Sequence, residues 1–144
     1  MTLVELLVVL AVVGIIVGMS VPALTGYAQR VRLKSATRQI VGLVSLARSL
    51  AISSHDDHEV RIDLGRGELR VMNAASGEAL EQVVRLPTSV TLEVQVGGES
   101  APDARILFRP TGALSGRTVA LLLADRDREH TITVTGTTGS VTVD

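Results

Sequence analysis

The sequence contains no cysteine and no tryptophan, and its aromatic side chains are limited to Tyr27 and Phe108. Without cysteine no disulfide can staple the fold, so a small core has to hold by packing alone. Without aromatic faces there is no platform for stacking bases or sugars. No acidic residue lies between Thr25 and Ser54, where five basic ones occur: Arg30, Arg32, Lys34, Arg38 and Arg48. There is no nucleophile elbow, P-loop or glycine-rich dinucleotide turn, and Gly65-Arg66-Gly67 reads as a hairpin signal, not as a phosphate cradle. Neither catalysis nor a cofactor is expected. His55-Asp56-Asp57-His58 offers four ligating side chains in a row. Consecutive residues do not converge on one ion without a special loop, and no calcium-loop pattern accompanies them, so no metal is expected either.

What the chain does have is a long apolar run at its start. From Leu6 to Leu24 there are 19 residues without a formal charge. As a helix they rise roughly 28 Å at ~1.5 Å per residue, close to the ~30 Å hydrocarbon thickness of a bilayer. Such a helix can span a membrane or bury itself against copies of itself. Glu5 is the exception near its start. A carboxylate in an apolar span is expensive and needs a partner, and the α-amino group of a chain start, its own or a neighbour's, is the cation within reach. A secretory signal peptide would carry a basic n-region and a small-residue cleavage site; here Glu5 stands where Lys or Arg would be.

The stretch Thr2-Leu3-Val4-Glu5-Leu6-Leu7-Val8-Val9-Leu10-Ala11-Val12-Val13-Gly14-Ile15-Ile16, with Pro22 following, resembles the mature N-terminus of type IV pilins and type II secretion pseudopilins. Glu5 and Pro22 match that pattern, and Met1 stands where the family usually has Phe. The resemblance implies removal of a leader by a prepilin peptidase and N-methylation of the new first residue, here Met1. It also implies insertion in the bacterial inner membrane, an inner-membrane assembly platform as partner, and polymerisation into a cell-surface filament of identical subunits or with other pilins and pseudopilins. The assembly residues are then Met1, Glu5, Gly14, Gly18 and Pro22. Gly14 and Gly18, four apart, form a small face for close helix approach. Both also weaken the helix by about 1 kcal/mol each, and Pro22 removes a backbone donor. The Gly14 to Pro22 segment is therefore either kinked or, as the resemblance implies, partly unwound.

Residues 25–54 continue as an amphipathic helix, with Leu33, Ala36, Ile40, Leu43, Val44, Ala47, Leu50 and Ala51 spaced by three and four. From Glu59 the period becomes two. Strands are expected around 60–64, 69–71, 83–86, 90–96, 106–108, 119–123, 131–134 and 141–143, with a last hairpin about Gly136 to Gly139. Residues 97–103 read as a polar loop and Asp125 to Arg128 as a charged turn. The expected fold is α+β: 1–24 an apolar membrane or filament-core helix, 25–54 its amphipathic continuation, and 55–144 an antiparallel β head packed on the 25–54 helix.

The helix beyond the apolar run carries five positive charges, whereas residues 55–144 carry nine positive against 14 negative ones. That asymmetry suits a helix packing beside the acidic heads of neighbours. The head also resembles, through Ala47-Arg48-Ser49-Leu50-Ala51, Ile106 to Gly112 and Gly139 to Val143, the H-type minor pseudopilins and FimT-like minor pilins. Members of the FimT-like group can bind DNA through a basic C-terminal region. This chain ends in Val143-Asp144. Arg117, Arg126 and Arg128, the candidate nucleic-acid contacts, are partly matched by Asp125, Asp127 and Glu129. A structural filament subunit is the expectation, and a minor subunit that primes assembly or binds DNA or cargo is the alternative.

Overall fold

A computed structural model of the chain describes residues 2–126 and 128–144, apart from the side chains of residues 19–26, 29 and 81. Met1, the expected methylation site, lies outside the described residues. Among the described residues one helix, α1 (Leu3–Ser54), leads into nine strands. The chain divides into two compact units, Met1–Arg32 and Leu33–Asp144.

In the first unit α1 runs as unbroken α-helix through Gly14, Gly18 and Pro22. Partial unwinding is therefore not seen in this chain; the single donor lost at Pro22 leaves the flanking i to i−4 bonds intact. Leu3 to Val17 are exposed on every side of the helix. Uniform apolarity of this kind has no solvent-facing stripe and marks a helix that others must cover. Among the described residues no helix is long and apolar enough to cross a membrane. The expected apolar span is described in full only as far as Gly18, since the side chains of residues 19–24 lie outside.

In the second unit α1 carries a buried stripe of Leu33, Ala36, Ile40, Leu43, Val44, Ala47 and Ala51, the expected positions except Leu50, which is half-buried. Thr37 falls on the same face, and its hydroxyl donates to the Leu33 carbonyl at 2.9 Å, so its burial leaves no unpaired donor. The helix stops at His55, whose φ of 59° is the left-handed conformation that ends helices. His55-Asp56-Asp57-His58 is thus a helix stop leading into a strand. His58 is buried, with Nδ1 3.1 Å from the Asp56 carbonyl oxygen. Among the described residues no cluster of three ligating side chains is placed to hold a metal.

Two antiparallel sheets cover the stripe. The first has four strands in the order β3 (Ala79–Arg85), β2 (Glu68–Asn73), β1 (His58–Asp63), β6 (Ile106–Phe108). The second has five: β5 (Glu99–Ser100), β4 (Thr91–Val96), β7 (Val119–Asp125), β8 (Arg128–Val134), β9 (Val141–Val143). Val60, Ile62, Leu69 and Val71 point inward from the first sheet, and Val94, Leu121, Leu123, Ile132 and Val134 from the second. With the helix stripe and Phe108 they make one core. Each buried side chain of this size contributes roughly 1.5–3 kcal/mol, which is how a cysteine-free head holds. β7 lies between β4 and β8, as its apolar sequence suggests, but alternate residues alone are buried.

Two local readings need correction. The stretch read as a polar loop contains β5, which folds back on β4 through Gly97 and Gly98, both at positive φ. The charged turn is tighter than expected: Asp125 closes β7, Arg128 opens β8, and the two are register partners. Arg126 between them has φ 44°. Asp125 is 6% exposed, and among the described residues neither of its carboxylate oxygens has a hydrogen-bond partner.

Candidate functional site

The first expected site is the start of α1. The Thr2 backbone N–H donates to Glu5 Oε2 at 3.3 Å, and the Glu5 N–H donates to Thr2 Oγ1 at 3.3 Å. This reciprocal pair is a capping box: Thr2 is the N-cap and Glu5 the third helical residue. Sequence reading set Glu5 beside an amine and overlooked this nearer donor, although Thr-x-x-Glu before an apolar run is its signature. The carboxylate also sits at the positive end of the helix dipole. Its two oxygens have capacity for more than one donor, so the cap leaves room for an amine.

Gly14 and Gly18 lie one turn apart on the same helix, and a β-carbon on either would meet nothing within 4 Å. They leave an open strip where a second helix backbone can approach closely. Around them the side chains of Leu10, Val13, Ile15 and Val17 are exposed. Pro22 lies in the helix, with its side chain outside the described set.

A second constellation, not anticipated from sequence, ties the end of α1 to two loops of the head. Arg48 Nε donates to the Gly112 carbonyl at 3.0 Å, and Nη2 donates to the Thr138 carbonyl at 3.1 Å. Gly112 belongs to the β6–β7 connection and Thr138 to the β8–β9 connection. The planar guanidinium can hold both carbonyls at once, which a lysine cannot. Gly136 and Gly139 let the two loops touch through their backbones: a β-carbon on Gly136 would lie 2.7 Å from the Gly116 carbonyl oxygen. The signal available in sequence was an arginine flanking the apolar stripe and glycines at the two turns. Its carbonyl targets carry no residue-type signature.

On the outer face of the first sheet the charges are paired. Glu59, 3% exposed, is held by Arg61 at 2.6 Å and Arg105 at 3.4 Å. Glu68 receives Arg70 at 2.6 Å and Arg85 at 2.9 Å. Hydrogen bonds from Arg70 and then Arg85 hold the Glu68 carboxyl below the usual glutamate range, outweighing partial burial, which acts in the opposite direction.

The three candidate nucleic-acid contacts are not brought together. Arg117 precedes β7 and packs over the β4–β5 turn, where a β-carbon on Gly97 would lie 3.1 Å from its guanidinium. Arg126 and Arg128 sit beyond the opposite end of β7. Seven strand residues separate them, roughly 23 Å at ~3.3 Å per residue.

Residues 36–138 match the model of a family described as type II transport protein GspH. Among solved structures the fold is similar to the type IV minor pilin FimU of Pseudomonas aeruginosa, with 16% sequence identity, a TM-score of 0.67, and coverage of 82% of this chain and 92% of that one. It is also similar to the minor pseudopilin EpsH from the type 2 secretion system of Vibrio cholerae, with 19% identity, a TM-score of 0.64, and coverage of 78% of this chain and 96% of that one. No curated protein sequence matches this one.

Proposed function

Since the chain belongs to the type II transport protein GspH family, and is thereby a pilin-like structural subunit and not an enzyme, we propose that it is a minor subunit. It enters the inner membrane through the apolar part of α1 and passes from there into a filament with other pilins or pseudopilins. The alternative reading is preferred here to the expected filament of identical subunits because both solved structures of similar fold are of minor subunits.

The observation that carries the proposal is the apolar start of α1, exposed on every side from Leu3 to Val17. A dozen large aliphatic side chains there represent on the order of 20–30 kcal/mol if taken out of water. A membrane or a bundle of like helices satisfies that surface equally well. Transfer from one to the other therefore draws on close packing along the Gly14–Gly18 strip and on the partner of Glu5. The prepilin peptidase and the assembly platform are the partners this route requires, and Met1 is the residue that would be methylated.

Electron microscopy of sheared surface filaments, with mass spectrometry of their subunits, tests the reading. The expected result is this chain in traces beside an abundant second pilin, and in the membrane fraction. Filaments built mainly of this chain would make it the major subunit instead. Absence from both filaments and membranes would overturn the proposal.

A further inference from the structure

Two hollows of about 320 Å³ each lie along one flank of α1 in the second unit. One is lined by Lys34, Thr37, Arg38 and Val41 of α1 and by His130 and Val143 of the second sheet. The other continues with Ser45, Arg48 and Ile52 of α1 against Ser140 and Val141. The helix residues step by seven in two rows, Lys34–Val41–Arg48 and Arg38–Ser45–Ile52, a spacing that keeps them on one face. The hollows therefore form one seam along that face, roughly 27 Å long at ~1.5 Å per residue.

The opposite wall of the seam is β9, an edge strand with a neighbour on one side only. Thr131 and Asp144 exchange two backbone hydrogen bonds of 3.0 Å, and the Thr135 N–H donates to the Ser140 carbonyl at 2.9 Å. Hydrogen-bonded pairs alternate along an antiparallel ladder. Ser140, Thr142 and Asp144 thus turn their backbone groups toward β8, and Val141 and Val143 turn theirs outward to the open edge. The side chains of Val141 and Val143 stand opposite buried Val134 and Ile132, on the core face of the sheet.

We propose that this seam receives an extended acidic segment of a partner protein as an added strand on β9. Its backbone pairs with the outward N–H and C=O groups of Val141 and Val143, as in other strand-addition complexes. Side chains of an added strand alternate between its two faces, so only every second residue faces α1; of these, apolar ones rest on Val41 and Val143 and acidic ones lie further along the same face. Carboxylates meet Lys34 and Arg38, both exposed and, among the described residues, in no ion pair. No acid lies on the helix from Thr25 to Ser54 to compete for them. A nucleic acid fits less well: a strand edge offers donors and acceptors in alternation, which a peptide backbone matches and a phosphate backbone, which only accepts, does not. The inference stands whether or not the chain polymerises.

The test uses the full chain in detergent micelles and a blocked nine-residue peptide with threonine at its even positions and, on the face toward α1, glutamate at the first two odd positions and valine at the remaining three. Amide exchange at Val141 and Val143 is expected to slow at least tenfold with the peptide bound, while that of Thr142, already bonded to β8, changes less. Replacing both rim cations, Lys34→Glu with Arg38→Glu, is expected to weaken binding at least tenfold; both side chains are exposed, so the fold is retained. The same peptide N-methylated at alternate amides is expected not to bind. Equal binding of the N-methylated peptide would overturn strand addition, as would an unchanged exchange rate at Val141 and Val143. Protection of the same amides by a DNA duplex in preference to the peptide would assign the seam to nucleic acid and overturn the proposal.

Discussion

Gly139 approaches Gly112 so closely that a β-carbon built on it would collide with the Gly112 carbonyl oxygen. The same carbonyl accepts the Arg48 Nε hydrogen bond. The β8–β9 turn, the β6–β7 turn and α1 therefore meet at one oxygen atom.

Gly139→Ala is expected to destabilise the head by more than about 3 kcal/mol, because backbone on backbone has no soft atom to yield. Gly77→Ala is the control. Gly77 also has positive φ, 70°, but a β-carbon there meets nothing within 4 Å, so its cost is the backbone strain of about 1–2 kcal/mol alone. Urea unfolding of the two variants separates clash from strain. Equal midpoints would mean that the loops move apart freely.

Arg48→Ala is expected to cost about 1.5–3 kcal/mol for each of its two charge-assisted bonds, and Arg48→Lys, which keeps one of them, about half as much. An ammonium reaches one of the two carbonyls and cannot fork to both. Full stability of the lysine variant would reduce the clamp to a charge effect.

The helix stripe was legible because burial follows its 3.6-residue period from Leu33 to Ala51, and most strands were legible through alternation. β5 was not: Glu99-Ser100 has no apolar residue, and pairing through the Gly97-Gly98 turn defines it. Asp125 reads as a turn residue in a run of alternating charge, yet it is the last inward position of β7. Arg48 and Glu5 divide the site reading. Glu5 announces itself by being charged in an apolar run, while Arg48 binds main-chain carbonyls, which every residue possesses. The three arginines considered for DNA were sorted by charge alone, and only the topology separates them.

Acid is expected to weaken the head through Glu68. Its carboxyl titrates lower in the folded chain than in the unfolded one, because Arg70 and Arg85 hydrogen-bond to the ionised form. The stabilisation is complete above the unfolded-state value and is lost as the pH falls through the folded-state value. Glu68→Gln should therefore flatten the acid limb of stability and leave its slope near neutrality unchanged. Unfolding midpoints across the acid range, for both proteins, check this. An identical acid limb would place the acid sensitivity in other groups.

The Thr2–Glu5 pair allows the capping role of Glu5 to be separated from its charge. Glu5→Gln keeps an acceptor for the Thr2 N–H and the reciprocal bond to Thr2 Oγ1, but removes the charge that an amine would seek. Thr2→Ala removes the Oγ1 acceptor and keeps the charge, at about 1 kcal/mol of local helix stability. If Glu5 acts as the register check in assembly, a misplaced subunit leaves its charge unpaired in an apolar setting. Glu5→Gln should then lower incorporation into filaments as much as Glu5→Ala does, with the membrane-fraction level of the subunit unchanged, and Thr2→Ala should assemble nearly normally. If the residue only caps the helix, Glu5→Gln should assemble normally and Thr2→Ala should show the defect. Quantifying the subunit in sheared filaments and in membranes, for all three variants, decides between a charge that is recognised by another subunit and a cap that serves its own.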